Sequence, residues 1–470
     1  MVVGGGLAGI AAAVRLAHDG VGVTLVETRK RLGGRATSFI DPTTGHVLDN
    51  CQHVLMGCCT NLIDLYRRLG VADRIQWHRR LYFAGDHGVV DQMEADDLPA
   101  PMHMFRSLMG FRSISLAEKI AIGRGMLAIL RLGRAGRQRL HDMSFGRWLA
   151  DHHQPEGAIQ KFWSVIVTSA LNEQVDKVDA AYAVQVFQEG FLANESAYVV
   201  GLPAVPLADL YDTVSRVIEA AGGAVLRSAR VEKFFFEDHR VAGLSLADGR
   251  RLDADLFVVA LPYNRLAKLC SAPMCHEDLR LQRLDAFGAS PIIGIHLWFE
   301  SSRDRPVMSL PHLIMTRGHL QWLFNKGYDE QMGGQHLHGV ISAAYGLVNT
   351  PGQEIIALAV AEIRQALGGS ARAAAGKLLC GRVIKEKRAT FSAGPGMDPM
   401  RPAARGQIDN LYLAGDWCQT GWPATMEGAT RSGYLAAAAV MEDLCGVADE
   451  SVRPLVADLA PHVLYQFCGL

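Results

Sequence analysis

The sequence predicts an α/β fold, a doubly wound parallel sheet with a discontinuous α+β domain inserted into it, and three observations carry that expectation. A glycine-rich turn separates a short apolar strand from an apolar-periodic helix at the start of the chain. A buried-type apolar run, Leu256 to Ala260, lies in the middle, and a strand ending in Gly-Asp, Leu411 to Asp416, lies near the other end.

Taken in order, Val2-Val3, the glycines, Leu7 to Ala17 and Val21 to Val26 read as strand, turn, helix, strand, the opening of a βαβ unit. That first strand is shorter than usual, as though residues ahead of it were missing. Leu207 to Ala221 reads as a helix, Ala224 to Leu226 and Val231 to Phe236 as strands, and about Ala424 to Leu444 as a helix after the last strand. The division that follows assigns 1–80, 201–262 and 401–445 to the dinucleotide domain and 81–200 and 263–400 to a second, substrate-binding domain. Residues 446–470 form a tail without a motif.

Composition narrows the function classes. Of 470 residues, 49% are hydrophobic and 20% charged, ample for a packed interior. The net charge of −1 leaves no basic excess for a nucleic-acid partner. Nine cysteines, none in a CxxC or zinc-type spacing, point to reduced thiols and to no metal site. No signal peptide precedes the first motif, and no apolar run is long enough to span a bilayer, so a cytoplasmic location is expected.

The turn Gly4-Gly5-Gly6-Leu7-Ala8-Gly9 matches G-x-G-x-x-G between strand and helix, the context in which it signals a dinucleotide. Gly4 allows the turn, Gly6 admits a pyrophosphate to the helix N-terminus beside Leu7 and Ala8, and Gly9 permits close helix–strand packing. Glu27, ending the second strand, is placed to accept ribose hydroxyls. By themselves these residues also fit a ligand-free turn. Two more elements decide for FAD in a Rossmann-like domain. Arg31-Leu32-Gly33-Gly34-Arg35 resembles the R-x-x-G-G-R element of FAD enzymes of the amine oxidase and phytoene desaturase superfamily, and Gly415-Asp416 closes a late strand as that superfamily's Asp does. Pro423-Ala424-Thr425-Met426 then opens a helix whose N-terminus favours negative charge on a reduced flavin. Val231, opening its strand, joins the expected cofactor contacts.

Longer stretches carry a narrower resemblance. Asp49-Asn50-Cys51-Gln52-His53, Gly201-Leu202-Pro203-Ala204-Val205-Pro206, Lys387-Arg388-Ala389-Thr390-Phe391, Arg401-Pro402 and Ala414-Gly415-Asp416-Trp417 together resemble hydroxysqualene dehydroxylase, the squalene-associated FAD-dependent desaturase family, from Val2 to about Leu444. The sequence departs from that pattern at Cys51, where glycine is expected, and at Trp422, where a smaller aliphatic residue is expected. The resemblance implies reductive removal of the hydroxyl of hydroxysqualene, a triterpene, to give squalene for hopanoid or carotenoid pathways, with an external reductant the sequence does not identify. Loss of water from an allylic alcohol leaves a cation that accepts hydride, and an acid near the hydroxyl promotes its departure. Two rivals stand: a carotenoid or phytoene-type desaturase running hydride the other way, and a non-catalytic FAD-binding lipid carrier.

His53, with Asp49 and Gln52, is the expected catalytic group, as proton donor or hydroxyl-orienting residue, because imidazole titrates near neutral pH. His53 reads equally as a structural histidine, and Asp49 as a turn residue. Tyr182, Phe187, Glu189 and Phe191 suit a tunnel wall, although an aromatic stripe at helical spacing is usually core; Trp298, Phe299, Trp322 and Phe324 suit a sheet face. Between Pro101 and Leu140 eight Arg/Lys residues stand against one acid, Glu118, interleaved with Met102, Phe105, Met109, Ile120 and Leu127. Such a segment fits either peripheral docking on the inner face of an anionic membrane or a helix with a solvated basic face.

Overall fold

The computed structural model describes residues 1–85, 88–368, 376–445 and 454–468. Its first sheet is five-stranded and parallel throughout, ordered Ala224–Leu226, Thr24–Val26, Val2–Val3, Phe257–Val259, Leu411–Leu413. Val2, Val3, Phe257 and Leu413 are fully buried, as parallel strands covered on both faces must be. The helix Leu7–His18 is rich in alanine because the helix Met426–Cys445 lies directly on it. At Gly433 a Cβ would stand 2.2 Å from the Ala8 carbonyl oxygen, so only glycine permits that crossing.

A second sheet of seven strands is ordered Leu378–Phe391, Ala289–Glu300, Gly334–Ile341, Trp322–Asp329, His312–Met315, Leu81–Ala84, Val90–Met93, with one parallel pair, Leu81–Ala84 against His312–Met315. Alternation assigns its faces. Ile293, Ile295, Leu297, Leu323 and Leu337 pack against the helix Gly352–Ala366. The opposite face carries Ile292, Trp322, Phe324 and Val340 against a cavity, then His296, Trp298, His336 and His338 farther along the same strands.

Helices close the cavity from the other side, Ser164–Leu171 and Ala180–Phe187 with the π-type turn Gln188–Leu192, and Leu116–Arg137 packs behind them. Phe187 belongs to an aromatic core with Phe145 and Trp163, at ring separations of 6.1 and 4.8 Å, and Tyr182 gives its hydroxyl to Asp398. Both are structural. Among the described residues no helix is long and apolar enough to cross a membrane.

Two expected helices are corrected. The one expected over Leu207 to Ala221 is broken into a tight turn, Leu207–Tyr211, and a helix, Val214–Ala220. The N–H groups of Leu207 and Ala208 bond instead to Asp49 Oδ1 and Ser38 Oγ, each at 3.0 Å. The last long helix starts at Met426 rather than Ala424, because Thr425 Oγ1 accepts the Gly428 N–H at 3.0 Å and so caps it.

Candidate functional site

One cavity of about 910 Å³ runs from the glycine-rich turn to the apolar face of the seven-stranded sheet. Its first part is backbone. The helix Leu7–His18 has Gly6 at its N-cap and no side-chain cap, so its leading N–H groups are left for an outside acceptor. A Cβ on Gly6 would find nothing nearer than Gly34 Cα at 3.9 Å, which leaves open space before the turn. Gly33 and Gly34 hold φ values of 97° and 61°, conformations that other residues avoid. Glu27 Oε2 accepts the Gly5 N–H and Oε1 the Arg29 N–H, both at 2.7 Å, which aims the carboxylate and leaves lone pairs for ribose hydroxyls. Arg35 then joins the two ends of the chain, donating from Nη2 to Asp416 Oδ1 at 2.6 Å and from Nη1 to the Ala389 oxygen at 2.5 Å. This cradle fits a dinucleotide.

Fifteen of the expected cofactor residues line the cavity: Gly4, Gly6, Leu7, Ala8, Glu27, Gly33, Gly34, Arg35, Val231, Gly415, Asp416, Pro423, Ala424, Thr425 and Met426. Two do not. Gly9 is behind the turn, where a Cβ would stand 1.8 Å from the Gly4 oxygen, so its role is packing alone. Arg31 lies outside the lining, exposed, with its guanidinium over the Phe39 ring at 5.6 Å.

The remainder of the wall is mostly apolar, with Val54, Met56, Phe83, Ile166, Phe191 and Ile314 beside the sheet residues already named. Gln52 and His53 line it; Asp49 does not, which corrects its expected catalytic role. Asp49 is buried behind the wall, where Oδ1 accepts Ser38 Oγ at 2.8 Å and Oδ2 faces Lys326 Nζ at 3.2 Å. His53 donates from Nδ1 to the Cys51 oxygen at 2.8 Å, and burial lowers its pKa. The ring is therefore neutral at pH 7 and its remaining nitrogen, Nε2, accepts a proton or a hydroxyl hydrogen. A hydroxyl-orienting group needs such an acceptor, whereas the expected proton donor needs the charged ring that burial disfavours. Burial pushes the Cys51 thiol up to about 12, so it serves as an inert wall. Trp422 also lines the cavity, under the Arg431 guanidinium at 5.2 Å.

Sequence reasoning missed Glu386, Thr390 and Ile292 in the wall, and Lys326 behind it. Thr390 stood inside a quoted motif; nothing near Lys326 in sequence marks it. Glu189 reaches the wall with both oxygens engaged, by Arg134 and Arg137.

A sequence model of flavin-containing amine oxidoreductases matches residues 7–441. The chain belongs to that family. The family is flavin-containing and its cofactor is FAD, a dinucleotide that the cradle described above fits. A 15-cis-phytoene desaturase of Synechococcus elongatus is 26% identical over 94% of this chain and 95% of its own length. The tomato (Solanum lycopersicum) chloroplastic 15-cis-phytoene desaturase is 27% identical over 94% of this chain and 77% of its own. A probable zeta-carotene desaturase of Synechococcus elongatus is 26% identical over 94% and 98%. Two solved structures share the fold over 94% of this chain: an oxidoreductase from Methanosarcina mazei (TM-score 0.70, 18% identity, 99% of that chain) and cyclohexylamine oxidase from Brevibacterium oxydans (0.64, 19%, 98%).

Proposed function

We propose that this family member is an FAD-dependent oxidoreductase of long linear isoprenoids. What carries the reading is the joining of a dinucleotide cradle to a deep, mostly apolar cavity, which suits a flexible hydrocarbon and keeps water from the reacting carbon. Bound in the cradle, FAD supplies a two-electron centre that takes or gives hydride. The chain's own residues supply the rest: Glu27 and the helix N-terminus bind the dinucleotide, the apolar wall orients the isoprenoid, and His53 Nε2 holds or accepts a proton.

Two reactions fit. Similarity to phytoene and zeta-carotene desaturases supports desaturation, in which substrate loses hydride and His53 Nε2 suits the departing proton. A specific feature supports dehydroxylation of hydroxysqualene instead: Gln52 and His53 set neighbouring polar side chains in the mostly apolar wall, complementary to a hydroxyl, and the D-N-x-Q-H stretch that carries them resembles that family. Anaerobic spectroscopy separates the two. Under dehydroxylation, hydroxysqualene reoxidises dithionite-reduced enzyme and squalene accumulates. Under desaturation, 15-cis-phytoene bleaches the oxidised enzyme and a longer polyene forms. An enzyme whose flavin responds to neither would sink the isoprenoid reading and leave an FAD-binding carrier.

We further propose that the enzyme docks on an anionic membrane surface. Met102, Phe105, Met109, Leu116, Ile120 and Leu127 are all exposed, and Arg124 and Arg131 stand exposed among them. The tail helix Val463–Cys468 packs against Leu116–Arg137 and adds exposed Val463, Leu464 and Phe467. Apolar side chains ringed by arginine suit insertion at the headgroup boundary. Arg134 and Arg137 are not part of this face, since both are paired with Glu189.

A further inference from the structure

Lys326, on the strand Trp322–Asp329, lies 3.2 Å from Asp49 Oδ2 and 3.2 Å from Gln52 Oε1. An ammonium only donates, so the contact fixes which end of the Gln52 amide faces it. The oxygen is turned to Lys326, so the NH₂ is the end of the amide that this contact leaves unused, on a side chain that lines the cavity. Asp49 cannot drift, because its other oxygen accepts Ser38 Oγ at 2.8 Å and the Leu207 N–H at 3.0 Å, and its carbonyl oxygen accepts from His296 Nε2 at 3.1 Å. Around the lysine, His296, His336 and His338 are kept neutral by burial, so none competes for the carboxylate. The next residue, His53, has Nδ1 committed to the Cys51 oxygen.

We propose that Lys326 is a positioning residue: by holding the Gln52 oxygen it keeps the amide NH₂ aimed into the cavity beside His53 Nε2, so that the wall grips a substrate oxygen through both its lone pair and its proton. A lysine 274 positions away in sequence thus decides the polarity of a wall it does not line. A neutral or apolar residue at 326 removes the donor that holds the Gln52 oxygen, and the amide is free to turn its NH₂ away from the cavity.

The inference rests on the isoprenoid reading of the cavity, and its test needs no turnover. The FAD-loaded enzyme is titrated with farnesol and with farnesene, an alcohol and a hydrocarbon of equal chain length, in one detergent, and binding is read from the perturbed flavin absorbance. Wild type should bind the alcohol about tenfold more tightly, the worth of one well-made hydrogen bond. Lys326→Met and Gln52→Leu should each bring the ratio near one, the double variant should fall no further, and Lys326→Arg should restore most of it. No preference in wild type, a wild-type ratio in Lys326→Met, or losses that add in the double variant would overturn the proposal. Should Lys326→Met not fold, Gln52→Leu alone decides, and a wild-type ratio there overturns it. Failure to convert hydroxysqualene or phytoene would be seen in product analysis and leaves this binding ratio a separate result.

Discussion

In the proposed reaction His53 is the proton-holding residue. Its Nδ1–H is spent on the Cys51 oxygen and burial lowers its pKa, so Nε2 is an acceptor at neutral pH and ceases to be one only when the ring protonates below its ordinary 6.5. A plot of kcat/KM against pH should therefore fall on the acid side below 6.5; His53→Phe should cost about a hundredfold and abolish that limb. A limb that survives in His53→Phe assigns the proton to another group. Histidines deeper in the second sheet bear on stability in the same direction. Burial holds His296 and His312 at about 4, against 6.5 when unfolded. Between those values the unfolded chain binds more protons, so stability is present above 6.5 and is lost as pH falls towards 4, by roughly 3 kcal/mol per histidine at most. Neither ring nitrogen of His312 has a protein partner among the described residues. His312→Leu should accordingly raise the thermal midpoint at pH 5 more than at pH 7.5, a difference that calorimetry at the two pH values measures.

Helix ends and helix surfaces carry the next set of consequences. The helix Thr60–Arg68 has Cys59 at its N-cap and no local side-chain cap. Its free N–H groups go to Glu427, which accepts from Leu62 N at 2.8 Å and Asn61 N at 3.3 Å, and also from the Asn61 side-chain Nδ2 at 2.9 Å. Glu427→Ala would leave these donors and Arg431 without that acceptor, at a cost of about 2–4 kcal/mol in urea unfolding; a change below 0.5 kcal/mol would show that water replaces the carboxylate. The helix Leu116–Arg137 begins in a capping box, with Ser115 and Glu118 bonding each other's backbone, which explains the single acid in that basic stretch. Farther along it turns at Gly133, φ 62°, and Gln188 Nε2 donates to the oxygens of Ile129 and Gly133 that the turn frees. Arg124→Glu with Arg131→Glu should abolish sedimentation with anionic liposomes, and Phe105→Ser with Phe467→Ser should weaken it even at high salt. Unchanged sedimentation in both would refute the membrane face.

At the scale of the whole molecule, the cofactor half was legible in the sequence because its contacts are made by backbone, and glycines announce where backbone must come close. Gly4, Gly6, Gly33 and Gly34 stand in local motifs, and so does Asp416, whose partner Arg35 lies 381 residues earlier. The substrate half was less legible because its polar groups are assembled across strands. Asp49 looked catalytic from its neighbours but is turned inward by Ser38 and Leu207, while Lys326, which has no motif, reaches the same carboxylate from another sheet. Arg31 differs again: a motif position on an exposed turn, it lies over Phe39 and outside the cavity lining. Every reading of the chemistry depends on both ends of the chain closing around one FAD, with the Arg35–Asp416 pair as the clasp. The most direct measurement is the FAD released on denaturing the purified protein, quantified against the polypeptide. The account requires an equimolar amount in wild type and a marked loss in Asp416→Ala; a correctly folded wild-type protein that is colourless and takes up no added FAD would contradict it.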